Sequence, residues 1–309
     1  MGQKLRSLYQ SVRRSREQQN SDDAEKKTDT AEASPPADAP PAYTATAQTA
    51  PVPASKRASA GVTTALGDDD RFAFLCDFDT VFLIDDSASM HIDASPTTTN
   101  SRWDEVADVL RAVAPICAAR DDDGLDVYFL NHRSMSSRVA PFGKASGGYY
   151  NVRDAAAVTR IFSGTRPNGC TPTGKRLETI LGAYMERLEA AASPKSVKPM
   201  NVIVITDGDP TDDPAGVLIE VASRLNQMRA PASQLGVQFF QVGRDAKAKE
   251  ALQELDDGLA KHSGRDIVDA VTWDDTSRGG RGLTAEGILK VVLGAVSRRL
   301  DWKPMGGGR

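Results

Sequence analysis

Short apolar runs that alternate with amphipathic helical patterns are the feature that most constrains how this chain can fold. The clearest run is Asn201–Thr206, which is followed by a helical pattern at Ala215–Met228 and by another run at Val237–Val242. Strands of a parallel sheet are buried on both faces and appear as continuous apolar runs, while the helices between them cover the sheet. The alternation therefore predicts an α/β fold, with a doubly wound, mainly parallel central sheet flanked by helices.

The same patterns give the bounds of the other predicted elements. Strands are predicted at 80–84, 125–130, 201–206, 237–242 and 266–271, with a short edge strand at 137–142 and a turn at 149–151. Helices are predicted at 103–118, 152–162, 174–188, 215–228, 246–259 and 284–300, where apolar residues recur at helical spacing. Together these elements predict one folded domain from residue 71 to residue 309.

The region before this domain has a different composition. Residues from about 20 to 70 are dominated by Ala, Pro, Ser, Thr, Asp and Gln. Such a segment cannot bury enough apolar surface to offset the entropy lost on ordering, so we expect 1–70 to be a disordered N-terminal arm. Its first sixteen residues form a basic amphipathic pattern, which is typical either of weak contact with a membrane surface or of a solvated arm. Gly2 invites comparison with a lipidation signal, but Arg6 stands where that signal has Ser or Thr.

The bulk composition excludes several classes of function. The net charge of −4, from 38 basic and 42 acidic residues, gives no electrostatic reason to expect a nucleic-acid partner. Cys76, Cys117 and Cys170 are too few and too scattered for a disulfide framework or a zinc cage. No stretch reaches the eighteen or so apolar residues of a membrane span. We therefore expect a cytoplasmic protein.

A carboxylate and two hydroxyls follow the apolar run Val81–Ile84. Asp85, Ser87 and Ser89 occupy alternate positions directly after this run. Open α/β sheets bind ligands at the carboxyl ends of their strands, and Mg²⁺ and Mn²⁺ prefer oxygen ligands. The three side chains therefore predict half of a coordination sphere. The alternative for this motif alone is helix capping or turn formation, which Asp and Ser also favour.

Two later loops carry further oxygen ligands. Thr171 lies in the loop Gly169–Gly174 before a predicted helix, and Asp207 follows the run Asn201–Thr206. Because parallel strands end at the same edge of a sheet, these side chains are expected to converge with the first motif. The acidic residues that follow are expected to be solvated turn residues and a cap for the next helix: Asp209, Asp212 and Asp213.

In this order the three loops closely resemble the metal-ion-dependent adhesion site of the von Willebrand factor type A domain. The resemblance covers about residues 78–300 and is nearest to intracellular, fungal-like members with a short disordered arm. It implies a site for Mg²⁺ or Mn²⁺ whose metal ligands are Asp85, Ser87, Ser89, Thr171 and Asp207. It also implies metal-dependent binding of a protein partner, whose acidic side chain completes the octahedron, without catalysis.

Two positions depart from the family pattern without removing a ligand. Ala88 stands where Gly is frequent, and Cys170 stands where a second Gly is usual before the threonine. The resemblance further implies that the ligand set can be coupled to a shift of the last helix, which corresponds to Thr284–Leu300.

The alternative function is a Mg²⁺-dependent phosphatase of the haloacid-dehalogenase type. Asp77 and Asp79 fit its Asp-x-Asp motif, in which the first residue is the nucleophile and the second an acid or base. This alternative requires residues 72–76 to form the central strand, whereas Val81–Ile84 is the stronger apolar run. A binding module rather than an enzyme is therefore the prediction.

Gly169–Lys175 also has the Gly-x-x-x-x-Gly-Lys spacing of a phosphate-binding loop. The next residue is Arg176, where such a loop needs Ser or Thr to reach Mg²⁺. Nucleotide binding is therefore not expected, and Lys175 is predicted to face solvent on the first turn of the following helix.

Overall fold

The structure is a computed structural model that describes residues 73–92, 100–121, 123–135, 139–243 and 245–271. The predicted arm at 1–70 and the predicted last helix at 284–300 lie outside the described residues. No helix among the described residues is both long enough and apolar enough to cross a membrane.

Within the described residues six strands form one sheet, in the order β3-β2-β1-β4-β5-β6. The strands are β1 Asp79–Ile84, β2 Leu125–Phe129, β3 Tyr149–Val152, β4 Met200–Thr206, β5 Leu235–Gln241 and β6 Val268–Val271. All neighbouring strands run parallel except β3, which pairs antiparallel with β2 at one edge. The predicted α/β fold with a mainly parallel central sheet is confirmed.

The helices between the strands are α1 Arg102–Ala118, α2 Ala155–Ser163, α3 Thr173–Ala190, α4 Pro214–Gln227 and α5 Ala246–Ser263. Their start points follow from capping. At α1, Ser101 and Asp104 form a reciprocal capping box, and at α2 the Asp154 side chain accepts from the Ala157 amide at 2.7 Å. Because Asp154 caps α2, this helix begins three residues after the predicted start at Val152.

Each face of the sheet is covered by its own set of helices, because successive residues of a strand point to opposite faces. On β4, Ile203 and Ile205 pack in one apolar cluster with α1 and α2. Val202 and Val204 pack in the other cluster, with α3, α4 and α5. The central strands are therefore buried on both sides, which explains their continuous apolar sequence.

The predicted edge strand at 137–142 is wrong for its described part, since residues 139–142 form a loop in which Val139 and Phe142 are exposed. The edge strand is instead β3, where a turn was predicted. Tyr149 and Tyr150 lie on opposite faces of the sheet, against Phe129 and Tyr128 respectively, with ring centroids 6.2 Å apart in each pair. Aromatic packing across the strand pair therefore stabilises β3, which is too short to show a clear alternation of apolar and polar residues in the sequence.

The strand order places a topological switch point between β1 and β4. The chain proceeds from β1 outward to β2 and β3, then returns to β4 on the other side of β1 and proceeds outward again to β5 and β6. The loops after β1 and β4 consequently leave in opposite directions at the carboxyl edge, where α/β sheets bind ligands. Asp85 and Asp207 directly follow these two strands.

Candidate metal centre

Asp85 is fixed at the end of β1 and is fully buried. Its Oδ1 accepts from the amide of Ser87 at 2.8 Å, and its Oδ2 accepts from the hydroxyl of Thr206 at 2.6 Å. Thr206 is the last residue of β4, so this hydrogen bond joins the two strands that flank the switch point. The carboxylate is therefore oriented before any ligand arrives.

Burial raises the pKa of Asp85 from 3.8 to about 6. The hydrogen bonds from Thr206 and Ser87 oppose this rise, and the nearby charge of Asp207 adds to it. Desolvation disfavours the ionised carboxylate, and a cation beside the carboxylate would favour it. The electrostatics of the site therefore suit a bound cation.

Three oxygen-bearing side chains form a continuous row beside Asp85. The hydroxyl oxygens of Ser87 and Ser89 lie 3.0 Å apart, and the Ser89 hydroxyl donates to Asp207 Oδ1 at 2.7 Å. Adjacent oxygens of an octahedron around Mg²⁺, with bonds of about 2.05 Å, are about 2.9 Å apart. The spacing of this row therefore fits the ligand shell of a small divalent ion.

Thr171 is buried in the second loop, at the same edge of the sheet. Its hydroxyl oxygen is 3.8 Å from the position that a Cβ on Gly208 would occupy, directly after Asp207. The carbonyl of Thr171 accepts from the amide of Thr211 at 2.9 Å, and the carbonyl of Gly169 accepts from Ala88 at 3.2 Å. The three loops of the predicted site are therefore hydrogen-bonded to one another at one edge of the sheet.

The acidic residues after Asp207 behave differently from one another. Asp213 caps α4, as predicted, and accepts from the Gly216 amide at 3.0 Å. Asp212 instead caps the preceding helix, α3, because its oxygens accept from the amides of Gly174 and Lys175 at 2.8 and 2.7 Å. Asp212 therefore ties the third loop of the site to the start of the second.

Asp86 was not singled out by the sequence pattern, although it is as buried as its neighbour Asp85. Its oxygens accept from the amides of Asn131 and His132 at 2.7 and 2.8 Å, and the side-chain amide of Asn131 donates to the Cys170 carbonyl at 2.8 Å. Asp86 thus anchors the loop after β2 to the site. No local sequence signal distinguishes this structural role of Asp86 from the metal-binding role predicted for Asp85.

Arg102 is the second residue that the sequence pattern did not reveal. Its Nη1 donates to Asp207 Oδ2 at 2.5 Å, across 105 positions of the chain. The only signal is its place as the first residue of α1, directly after the N-cap Ser101. Cations are unfavourable at helix N-termini, so an arginine there needs another interaction to explain it.

The structure gives no support to the phosphatase alternative. Residues Ala73–Asp77 form a 3₁₀ turn rather than a central strand, and Asp79 begins β1 at the opposite edge of the sheet from Asp85. Asp79 is paired with Arg187 at 3.2 Å and with Lys198 at 3.4 Å. The two aspartates therefore do not reach the carboxyl edge, where the oxygen ligands lie.

The positions of Lys175 and Arg176 also give no support to a phosphate-binding loop at Gly169–Lys175. Lys175 is exposed on the first turn of α3, as predicted, while Arg176 is buried. The Arg176 guanidinium donates to the carbonyls of Phe129, Ser146 and Gly147 and lies 5.0 Å from the ring centre of Tyr128. Arg176 thus supports the loop between β2 and β3.

Among the described residues, no three side chains of His, Cys, Asp or Glu come together in a way that would hold a metal ion. The candidate centre contains two carboxylates, of Asp85 and Asp207, and takes its other oxygens from hydroxyls. Such a donor set suits Mg²⁺ or Mn²⁺ and does not suit zinc, which prefers thiolate and imidazole ligands.

The fold defines the class as a doubly wound α/β domain, with the row of oxygen-bearing side chains at its switch point. The family model of the von Willebrand factor type A domain matches residues 79–276. The chain therefore belongs to the von Willebrand factor type A domain family, whose members generally mediate protein interactions, often with a metal ion, and are generally not enzymes.

The similarity of the chain to solved structures is weaker. A multiply mutated aerotolerance-related membrane protein from Bacteroides fragilis is 13% identical, over 72% of this chain and 99% of that chain, with a TM-score of 0.38. The PilB minor pilin from Streptococcus sanguinis is 12% identical, over 75% of this chain and 64% of that chain, with a TM-score of 0.43. No curated protein matches the chain. At these scores the solved structures carry no functional argument.

Proposed function

We propose that this chain is a divalent-metal-dependent protein-binding module, in which a bound Mg²⁺ or Mn²⁺ ion recruits an acidic residue of a partner. The row of oxygens from Ser87, Ser89 and Asp207, beside the buried carboxylate of Asp85, is the observation that carries the proposal. In this proposal Thr171 is the further hydroxyl ligand, and its hydroxyl oxygen lies near Gly208, the residue after Asp207. The protein-binding role general to the family supports the same conclusion.

In this proposal each side chain has a defined task. Ser87 and Ser89 offer neutral oxygens at octahedral spacing, while Asp85 and Asp207 supply negative charge from the ends of β1 and β4. When bound, the ion supplies a vacant, positively charged position for an outside carboxylate. We further propose that the domain of residues 71–309 acts in the cytoplasm without catalysis, and that the arm of residues 1–70 adds at most weak membrane contact.

Substitution of Thr171 tests the proposed ligand set. We expect Thr171→Ala to weaken binding of Mg²⁺ and Mn²⁺ by about tenfold, because a hydroxyl that binds the ion directly or through water is lost. The matched control is Thr179→Ala, which removes an exposed hydroxyl bonded to the Lys175 carbonyl within α3. Isothermal titration of each ion into the full-length wild type and both variants measures the affinities. Equal affinities for the wild type and Thr171→Ala would remove Thr171 from the ligand set.

Capture experiments test the partner. Proteins retained by the wild type in Mg²⁺ are expected to be released by EDTA and to be absent when Thr171→Ala is the bait. Once one retained protein is identified, its acidic surface residues can be replaced by their amides one at a time, and a single replacement should abolish binding. A partner whose binding survives excess EDTA would contradict the proposed mechanism.

Metal affinity is expected to fall in mildly acidic solution. Because burial raises the pKa of Asp85 to about 6, the carboxyl is protonated below that pH and the proton must leave before the ion binds. The apparent dissociation constant for Mn²⁺ should rise by up to about tenfold for each pH unit below about 6 and change little between about 7 and about 8. Isothermal titration across this range measures it, and a constant affinity would contradict a role for Asp85.

A further inference from the structure

One cation already lies at the candidate metal centre, on an arginine side chain. Arg102 Nη1 donates to Asp207 Oδ2 at 2.5 Å, and the side chains of the pair are 15% and 0% exposed. The other oxygen of Asp207 accepts from the Ser89 hydroxyl at 2.7 Å. Arg102 therefore compensates the charge of a carboxylate on which the proposed ion also depends.

Helix stability does not explain the position of this arginine. Arg102 is the first residue of α1, where a positive charge opposes the helix dipole. The N-terminus is already capped by Ser101 and Asp104, which form a reciprocal capping box. The contact with Asp207 is therefore the interaction that makes the position favourable for an arginine.

The guanidinium is also held in place by its packing. It lies against Gly243, whose φ of +79° is a conformation that side-chain-bearing residues rarely adopt. A Cβ on Gly243 would lie 2.7 Å from Arg102 Nε and 2.8 Å from its Cζ. Within the described residues Arg102 Nε is buried without a hydrogen-bond partner, so Asp207 is the contact that orients the group.

The formal charges show what this arrangement does to a bound ion. Asp85 and Asp207, the two charged residues of the proposed ligand set, contribute two negative charges and Arg102 contributes one positive charge, so these three side chains carry a net charge of about −1. A divalent ion then leaves the loaded site with about +1. Without Arg102 the loaded site would be close to neutral, and the ion would be held more strongly.

We propose that Arg102 sets the charge balance of the metal centre: it weakens binding of the divalent ion and keeps the loaded site positive, which favours an acidic partner. This inference rests on the proposed function and adds to it the residue that tunes the site. It predicts opposite effects on two affinities, which the loss of a merely structural residue would not produce.

The test uses the full chain and Mn²⁺ alone as the first probe. In isothermal titration, Arg102→Gln is expected to bind Mn²⁺ at least about tenfold more tightly than the wild type. Arg102→Lys keeps the charge without the planar fork and should lie closer to the wild type than to Arg102→Gln. Arg111→Gln is the matched control, because Arg111 lies in the same helix and pairs with Asp108 away from the site.

The second probe is acetate, whose access to bound Mn²⁺ is followed by water-proton relaxation. Arg102→Gln is expected to bind acetate less tightly than the wild type, although it binds Mn²⁺ more tightly. If Arg102→Gln does not fold, judged by circular dichroism, Arg102→Met retains the apolar stem and is interpreted in the same way.

The possible results separate the two proposals. Mn²⁺ binding by the wild type, with equal or weaker binding by a folded Arg102→Gln, would overturn the role of Arg102 and leave the metal centre intact. Absence of Mn²⁺ binding by both proteins would overturn the proposed function, and the inference with it. Tighter Mn²⁺ binding together with weaker acetate binding supports both.

Discussion

Asp85→Asn is expected to reduce the affinity for Mg²⁺ and Mn²⁺ by at least about a hundredfold, because it removes a full negative charge next to the proposed ion. The substitution keeps the local hydrogen bonds. The asparagine oxygen can accept from the Ser87 amide, and its NH₂ group can donate to the Thr206 hydroxyl, which is able to accept as well as donate. Isothermal titration of Mn²⁺ measures the loss.

The same substitution is expected to stabilise the metal-free protein. The pKa of Asp85 is 3.8 in the reference state and about 6 in the folded state, so the folded state binds the proton more tightly. The contribution of Asp85 to the free energy of unfolding is therefore largest below about pH 3.8. It falls as the pH rises to about 6 and is constant above that value. The neutral asparagine avoids this loss. Asp85→Asn should therefore raise the free energy of unfolding by up to about 3 kcal/mol at neutral pH, and by little below about pH 4.

Urea denaturation of both proteins in EDTA at several pH values measures the difference. Asp86→Asn is the matched control, since Asp86 is equally buried but accepts from the backbone amides of Asn131 and His132. An asparagine there must place its NH₂ group against an N–H donor, so we expect a loss of about 1–3 kcal/mol and a much smaller change in metal affinity. Destabilisation of the metal-free protein by Asp85→Asn at neutral pH would show that burial does not raise the pKa of Asp85.

The central strands could be predicted from the sequence because their burial on both faces is recorded in the residues themselves. Val202 to Ile205 are apolar without interruption, and the described β4 covers Met200–Thr206. The edge strand β3 could not be predicted in this way. It has four residues, and what stabilises it is the packing of Tyr149 and Tyr150 on side chains of β2. Such partners are visible only after the chain has folded.

The same distinction applies to the candidate site. The order and spacing of Asp85, Ser87 and Ser89 after an apolar run are local signals, and the ends of parallel strands bring Asp207 to the same edge. The contact between Arg102 and Asp207 spans 105 positions and depends on how α1 packs on the sheet. The contact is set by tertiary packing and leaves no local sequence signal, so the pairing of Arg102 with Asp207 could not be predicted from the sequence.

Gly174→Ala is expected to destabilise the protein by about 2–3 kcal/mol and to weaken metal binding by about tenfold. A Cβ at this position would lie 2.7 Å from the backbone carbonyl atoms of Asp213 and 2.9 Å from the nitrogen of Pro214. Backbone atoms cannot turn aside as a flexible side chain does, so the starts of α3 and α4 must separate. That movement displaces the loop containing Thr171 from the loop containing Asp207.

Gly182→Ala in the same helix is the control that isolates this close approach. Apart from the backbone of its own helix, no atom of the described residues lies within 4 Å of the position that a Cβ on Gly182 would occupy. Alanine in a helix interior is favoured over glycine by about 0.5–1 kcal/mol, so this variant should be more stable than the wild type and should bind Mn²⁺ equally well. Replacing glycine by alanine is therefore expected to lower the free energy of unfolding at position 174 and to raise it at position 182. A stabilising Gly174→Ala would show that the two helix starts, and the site loops they carry, do not depend on this contact.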